Sequence, residues 1–343
     1  MCWLYFLTFF FCYSNQVMSQ TENNNSRYRL VFWNVENFFD TSDDPVKDDD
    51  AFTPGGENHW TKRRYEQKLN ALYRVVAATG QREDDRFEMP LIVALAEVEN
   101  DRVLVDLTLG TPLRQYQYGF IHYESPDARG IDNALLYRKE LFSPTHSEAI
   151  NMSDSNIDLS TRDLLLVEGT LPNGDTLTVI VCHFPSKRGG AAADIKREHV
   201  AARLGDILEG IHHEHPERAV VVVGDFNAGP DEPVISNTLM KSGTSHYVNL
   251  MAKMDHGEGS HNYQGEWAFL DQIIVSENMM GGGSSIQVAG GKAKVLMPEF
   301  MMIDDEKNLG KKPLRTYQAT KYLGGYSDHL PVYIDLVSGV KGS

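Results

Sequence analysis

The sequence predicts an α/β (α+β) fold, a sandwich of two mixed, mostly antiparallel central sheets flanked by helices. Three observations predict it. Apolar runs of strand length outnumber the long amphipathic segments. Polar residues stand at the ends of those runs in a pattern that fixes strand direction. No internal repeat, low-complexity tract or Pro/Ser linker divides the 343-residue chain. With 41% hydrophobic and 23% charged residues the composition excludes wholesale disorder.

Taken in order, Arg29 to Trp33 reads as a buried strand ending at Asn34 and Glu36. Residues 40–50 and Thr53 to Gly56 read as an acidic loop. Trp60 to Thr79 carries Tyr65, Leu69, Leu72 and Val76 at helical spacing, with Gly80 as a C-cap. Further strands are predicted at Pro90–Ala96, Asn133–Tyr137, Thr176–Cys182, Ala219–Val223, Phe269–Ser276 and His329–Leu336, and a second long helix at Ala191–Ile211. Asn34, Glu97, His183 and Asp225 each follow the C-terminal end of a strand; Asp271 and Asp328-His329 each stand at the start of one. For all of these to meet, the last two strands must run opposite to the others, which excludes a purely parallel sheet.

The N-terminus reads separately. Cys2 to Tyr13 is almost unbroken apolar sequence, too short for a comfortable membrane span, and small residues follow at 17–19. Residues 1–19 are therefore expected to be a signal peptide, 20–28 a polar tether, and 29–338 a single domain. Cleavage would leave Cys182 as the sole cysteine, so packing rather than a disulfide must hold the fold. The expected location is outside the cytoplasm, secreted or in the periplasm or cell envelope. A net charge of -16 argues against salt-resistant clamping of nucleic acid without excluding a nuclease, because a metal-filled cleft is locally positive.

The chemistry concentrates in a few segments. Gly224-Asp225-Phe226-Asn227 follows a four-valine strand; Asp225 suits a general base and Asn227 a donor to a charged oxygen, although an Asx turn ending a strand reads equally well. Ser327-Asp328-His329 joins an imidazole to a carboxylate able to hold a hard cation, or is a turn with an exposed histidine. Asp271 is suited to fix the tautomer of a histidine. Glu97 after an apolar run must be paired or metal-bound, and Glu36 is a weaker second oxygen ligand. Oxygen donors without cysteine favour Mg²⁺, with Mn²⁺ or Ca²⁺ as alternatives.

These segments, with Phe32–Asn37, Ala94–Val98, Gly130–Tyr137, His183–Ser186 and Leu270–Ile273, resemble in their order the endonuclease/exonuclease/phosphatase superfamily of DNase I-like enzymes. The resemblance implies a four-layer α/β sandwich. It implies Glu97 as main metal ligand with Asn34 beside it and Glu36 and Asp328 as further ligands. It also implies His183 on the scissile phosphate, Asp225 and Asn227 positioning water and transition state, and Asp271 paired with His329. Lys187 and Arg188 read as a loop on the phosphate side, and Arg129 joins them as a substrate-binding candidate. Ala96 departs from the family's usual Gln and puts local hydrogen bonding at Glu97 in doubt.

The implied activity is one-step hydrolysis of a phosphate ester. Extracellular nuclease action on DNA or RNA comes first. Hydrolysis of small phosphate esters or phospholipid headgroups is the alternative, and an inactive binding module a third reading. No stable protein partner is implied, and a monomer is expected. His212, His213 and His215 read as an exposed helix end, Asp48-Asp49-Asp50 as a solvated loop and Lys62-Arg63-Arg64 as a solvated helix face.

Overall fold

The computed structural model describes residues 26–241, 246–254 and 258–339. The expected signal peptide lies outside the described residues, as does the tether up to residue 25. Residues 26–28 of that tether instead open the first strand.

In chain order the elements are β1 (Ser26–Phe38), α1 (Lys62–Ala78), β2 (Ile92–Val98), α2 (Asp101–Gly110), β3 (Tyr118–His122), β4 (Asp132–Arg138), β5 (Ser143–Ile150), β6 (Leu164–Thr170) and β7 (Thr176–His183). Then come α3 (Ala191–Glu214), β8 (Ala219–Asp225), β9 (Tyr247–Asn249), the hairpin β10 (His261–Tyr263) and β11 (Glu266–Ala268), and β12 (Asp271–Ser276). Short strands β13 (Ile286–Val288) and β14 (Lys294–Val295), the small hairpins β15 (Met302–Asp304) with β16 (Lys311–Pro313) and β17 (Tyr317–Gln318) with β18 (Lys321–Tyr322), and β19 (Val332–Ser338) complete the chain.

One sheet has the order β13-β19-β1-β2-β4-β3, with β14 also on β19; the other is β5-β6-β7-β8-β12-β9. Within the first, β1 and β2 are parallel and β19 antiparallel to β1. Within the second, β7 and β8 are parallel and β12 antiparallel to β8. The expected reversal of the last two long strands is thus met once in each sheet.

Side-chain alternation builds the layers, because successive residues of a strand point to opposite faces. Leu30 and Phe32 of β1, Ile92 and Ala94 of β2, Val179 and Val181 of β7, Val221 and Val223 of β8, and Ile273 and Val275 of β12 form a core between the sheets. Their neighbours Val31, Trp33, Val93 and Leu95 pack with Leu72 and Val75 of α1 and Leu104 and Leu107 of α2. Val220, Val222 and Ile274 pack with Val200, Leu204 and Leu208 of α3. Both faces of both sheets are therefore buried, which is why these strands read as unbroken apolar runs. The result is four layers, helices–sheet–sheet–helix.

The structure adds elements that the sequence reading left out: α2, β3, β5, β6 and a π-helix at Val234–Leu239. It also moves the start of the last strand from His329 to Val332, leaving Asp328 and His329 in the approach to it. The loop at 48–50 is not wholly solvated, because Asp49 is buried and its carboxylate accepts from the Asp44 N–H.

Candidate active site

The site is where the inter-sheet core turns polar. Continuing the inward-facing positions by one step leads from Phe32 to Asn34, from Val181 to His183, from Val223 to Asp225, and back from Ile273 to Asp271. His183, Asp225 and Asp271 sit side by side in register across β7, β8 and β12. Asn34 meets them from the facing sheet, its Nδ2 3.1 Å from Asp225 Oδ2.

Glu97 reaches the same place by a different device. The register of β2 shifts between Ala96 and Val98, and Glu97 itself has a φ of 66°. Such a bulge re-aims the side chain it carries. The Glu97 carboxylate accepts from the Asn37 backbone N–H at 2.8 Å and from Asn34 Nδ2 at 3.4 Å, with an Arg129 guanidinium nitrogen 3.6 Å away. These partners answer the doubt raised by Ala96, which itself is buried in the inter-sheet core. Glu36, Asn37 and Asn227 also have positive φ. Left-handed backbone at non-glycine residues costs on the order of 1–3 kcal/mol each and persists where the surroundings enforce it.

Asp225 Oδ2 is the focus. Around it stand Asn34 Nδ2, His183 Nε2 at 3.6 Å and His329 Nε2 at 3.8 Å. Its other oxygen accepts from the Asn227 N–H. His329 Nδ1 lies 2.7 Å from Asp271 Oδ2, and the Trp33 indole N–H donates to the His329 carbonyl. Burial pushes the Asp225 carboxyl up to about 7, with Asp271 adding to the rise and His329 opposing it. Burial pulls His329 down, but the Asp271, Asp225 and Asp328 carboxylates outweigh it and hold the imidazole well above its ordinary value. These carboxylates favour the charged form of His329, braced by Asp271. His183 is the opposite: burial and then Arg162 and Arg129 drive it well below the ordinary value, so it is neutral. Its Nδ1 has no hydrogen-bond partner.

Several expected ligands are placed otherwise. Asn34 Oδ1 accepts from the Glu36 N–H, so the amide turns its nitrogen to Glu97 and Asp225 and bridges them as a donor rather than ligating through oxygen. Glu36 has both oxygens engaged, one by Arg315 Nε and one by the Thr316 N–H, so its charge is met by the protein itself. Asp328 pairs with Arg315 at 2.9 Å and shares a cluster with His261 and His329 whose ligand atoms all lie within 4.8 Å of one another. Asn227 donates to the Phe184 carbonyl, tying the Asp225 segment to the His183 segment. Lys187 points elsewhere, into a surface pair with Glu232, and Arg188 is exposed with only its backbone bonded, to Ser186. The structure therefore does not bring the Lys187–Arg188 loop to the site. It does bring Arg129.

Three residues at the site, Arg162, Lys68 and His261, went unread in the sequence, and they stand with Arg315, which the sequence offers only as a residue shaping the pocket upstream of Asp328. Arg162 donates to the His183 and Phe184 carbonyls and pairs with Asp127. Lys68 of α1 donates to Thr316 Oγ1 and the Tyr326 carbonyl, and burial pushes it down to about 8. Arg315 binds Glu36 and Asp328 together. His261 on β10 forms a backbone bridge with His329 and lies over its ring at 4.8 Å; burial pushes it down to about 4. No local pattern marks Arg162, Lys68 or His261, because their partners lie far away in sequence.

The chain matches the Endonuclease/Exonuclease/phosphatase family over residues 29–338. It belongs to that family. Membership places it among hydrolases of phosphate esters, whose enzymes use divalent metals. A comparison of the sequence with curated proteins finds no match. Among solved structures, the chain resembles an endonuclease/exonuclease/phosphatase family protein from Bacteroides thetaiotaomicron (TM-score 0.58, 16% identity, 92% of this chain and 100% of that one). It also resembles the mannosyl-6-phosphatase of the same organism (0.56, 15%, 90% and 99%) and D. rerio TDP2 complexed with a single-strand DNA product (0.54, 15%, 91% and 99%). At these identities the family members share the fold with this chain, and the likeness extends no further.

Proposed function

We propose that the protein is a divalent-metal-dependent phosphoesterase that cleaves small phosphate esters by one-step attack of water. The observation that carries hydrolysis is the convergence of Asn34, His183 and His329 on Asp225 Oδ2. Asp225, poised near neutrality, accepts the proton of the attacking water. The His329 imidazolium, held by Asp271, stabilises negative charge on the phosphoryl oxygens. Neutral His183 hydrogen-bonds the phosphate, and Asn227 and Arg162 hold its segment in place. Arg129 and Arg315, both about half-exposed, line the mouth.

The residues fit a cation. Glu97 takes its hydrogen bonds from neutral amides, with the Arg129 guanidinium 3.6 Å away, and Asp328, paired with Arg315, is the second carboxylate we assign to the ion. A bound Mg²⁺ would neutralise phosphate charge and stabilise the leaving oxygen.

Preference for small esters rests on the approach to the site. Asp40, Asp43, Asp44, Asp49 and Glu124 line a cavity of about 250 Å³ with Lys47 and Arg129, together with Glu99, whose carboxyl burial pushes up to about 8. A nucleic-acid backbone lying there would face this acidic wall, whereas a sugar phosphate need not. The exposed guanidiniums of Arg129 and Arg315 support the second reading, a phosphodiesterase acting on DNA or RNA.

The test is turnover of sugar phosphates, bis-nitrophenyl phosphate, plasmid DNA and RNA with Mg²⁺, Mn²⁺ or Ca²⁺. EDTA-sensitive cleavage of small esters with weak salt dependence is expected. Salt-sensitive cleavage of DNA or RNA alone would move the assignment to the second reading. No cleavage of any substrate would end the hydrolase reading. We also propose export after removal of residues 1–19, which predicts a mature N-terminus near Ser19 or Gln20 by mass spectrometry.

A further inference from the structure

A second group of ligand-type side chains stands apart from the Asp225 cluster, with Glu124 on the acidic wall of its approach and His122 and Asp132 behind it. His122 ends β3, Asp132 begins β4, and Glu124 lies in the loop between them. One nitrogen or oxygen from each lies within 4.8 Å of the others. His122 and Asp132 have almost fully buried side chains (2% and 1% exposed), while Glu124 is exposed.

Each buried member is oriented by a further partner. Asp101, in the first turn of α2, accepts from His122 Nδ1 at 2.9 Å. With Nδ1 as the donor, a neutral ring would present the lone pair of Nε2 inward. The Ser125 N–H donates to Asp132 Oδ1, which leaves Oδ2 facing Nε2. His122 Nε2 and Asp132 Oδ2 are both buried without a hydrogen-bond partner. Two such buried atoms turned toward each other are costly unless a positive charge, a proton on Nε2 or a metal ion, lies between them.

The separation identifies that cation. Nε2 and Oδ2 are 3.6 Å apart. A proton shared between nitrogen and oxygen requires about 2.7–3.2 Å. Two atoms each about 2.1 Å from a tetrahedral ion stand roughly 3.4 Å apart. A carboxylate that fixes the far nitrogen of a histidine is also the usual support of a metal-ligating imidazole. We propose that His122, Glu124 and Asp132 form a second, structural site for a divalent transition-metal ion, Zn²⁺ foremost, with water completing the shell. One imidazole and two carboxylates suit Zn²⁺ better than Mg²⁺.

The ion would tie together the two ends of loop 123–131. That loop carries Arg129, whose guanidinium contacts Asn37 and stands by Glu97. The second site would therefore brace one wall of the first without touching substrate.

The test reads binding rather than activity, so it is independent of the proposed reaction. Chelator-stripped full-length Glu97→Gln protein, lacking the main ligand of the first site, is titrated with ZnCl₂ by calorimetry and melted with and without Zn²⁺. Retention of a Zn²⁺ equivalent that raises the melting temperature is expected. Adding Glu124→Gln, an exposed change that leaves the fold intact, should weaken that binding at least tenfold, and adding His122→Gln or Asp132→Asn should abolish it. The proposal is overturned if Glu97→Gln protein takes up no Zn²⁺, or if Glu124→Gln leaves its affinity unchanged.

Discussion

The strands β1 and β19 carry a buried charge cluster at each end, and the two differ in kind. At one end Arg29 lies opposite Asp335 in register. Its guanidinium makes two bonds to that carboxylate, at 2.8 and 3.0 Å, donates to the Thr79 and Gln81 carbonyls, and lies over the Tyr333 ring. Arg82 adds a second cation to Asp335. Donors and acceptors there are matched. At the other end, where β1 reaches Asn34 and the chain approaches β19 through Asp328 and His329, matching fails. His183 Nδ1 and Asp271 Oδ1 are buried without partners, and Asp225 is pressed toward protonation. A cluster built for stability spends its bonding capacity inside the protein; one built for chemistry keeps some of it unspent.

This contrast can be broken by mutation. His329→Ala should lower kcat/KM by roughly 10²–10⁴-fold, the range for loss of a positioned acid–base group, and, because it strands the buried Asp271 carboxylate, lower stability as well. Arg29→Ala should lower stability alone. Removing one partner of a buried pair costs about 3–5 kcal/mol, read by urea unfolding, and the remaining folded protein should keep its KM. A fall in kcat/KM for Arg29→Ala as large as for His329→Ala would erase the distinction.

Smaller effects sharpen it. The folded-state pKa of Asp225 is raised, so its protonated form contributes stability at acid pH that is lost as pH climbs from about 4, its unfolded value, through about 7. Asp225→Asn should therefore remove a decline in metal-free stability over that window and raise the melting temperature at pH 8 by about 2–4 °C, while activity falls. An unchanged pH profile of stability would contradict the placement of Asp225. Trp33→Phe, which loses the bond to the His329 carbonyl, should cost about 1 kcal/mol and a modest part of kcat.

The same physics decided what the sequence could reveal. Strands buried on both faces, such as Ala219–Asp225, read as unbroken apolar runs and were found. β5 is an edge strand with largely polar, half-exposed residues and gave no such run. β6 begins with the readable Leu164–Val167, and nothing physical hid it. Likewise α2 announced itself by Asn100, whose side chain caps the Val103 N–H. Site residues at strand ends, from Asn34 to Asp271, were legible through their joint order along the chain, since a carboxylate or amide at one strand end alone reads equally well as a turn. The fate of Glu36 was not, since its partner Arg315 comes 279 residues later. Nor was His261, which meets His329 only through the hairpin β10–β11.

The most direct test of the central claim is turnover of bis-nitrophenyl phosphate with Mg²⁺ in oxygen-18 water by the wild-type protein and by Asp271→Asn. The account predicts one labelled oxygen in the phosphate product, no phosphorylated protein, and a large loss of kcat when the brace on His329 is removed. Label absent from the phosphate, or an Asp271→Asn protein as fast as wild type, would contradict it.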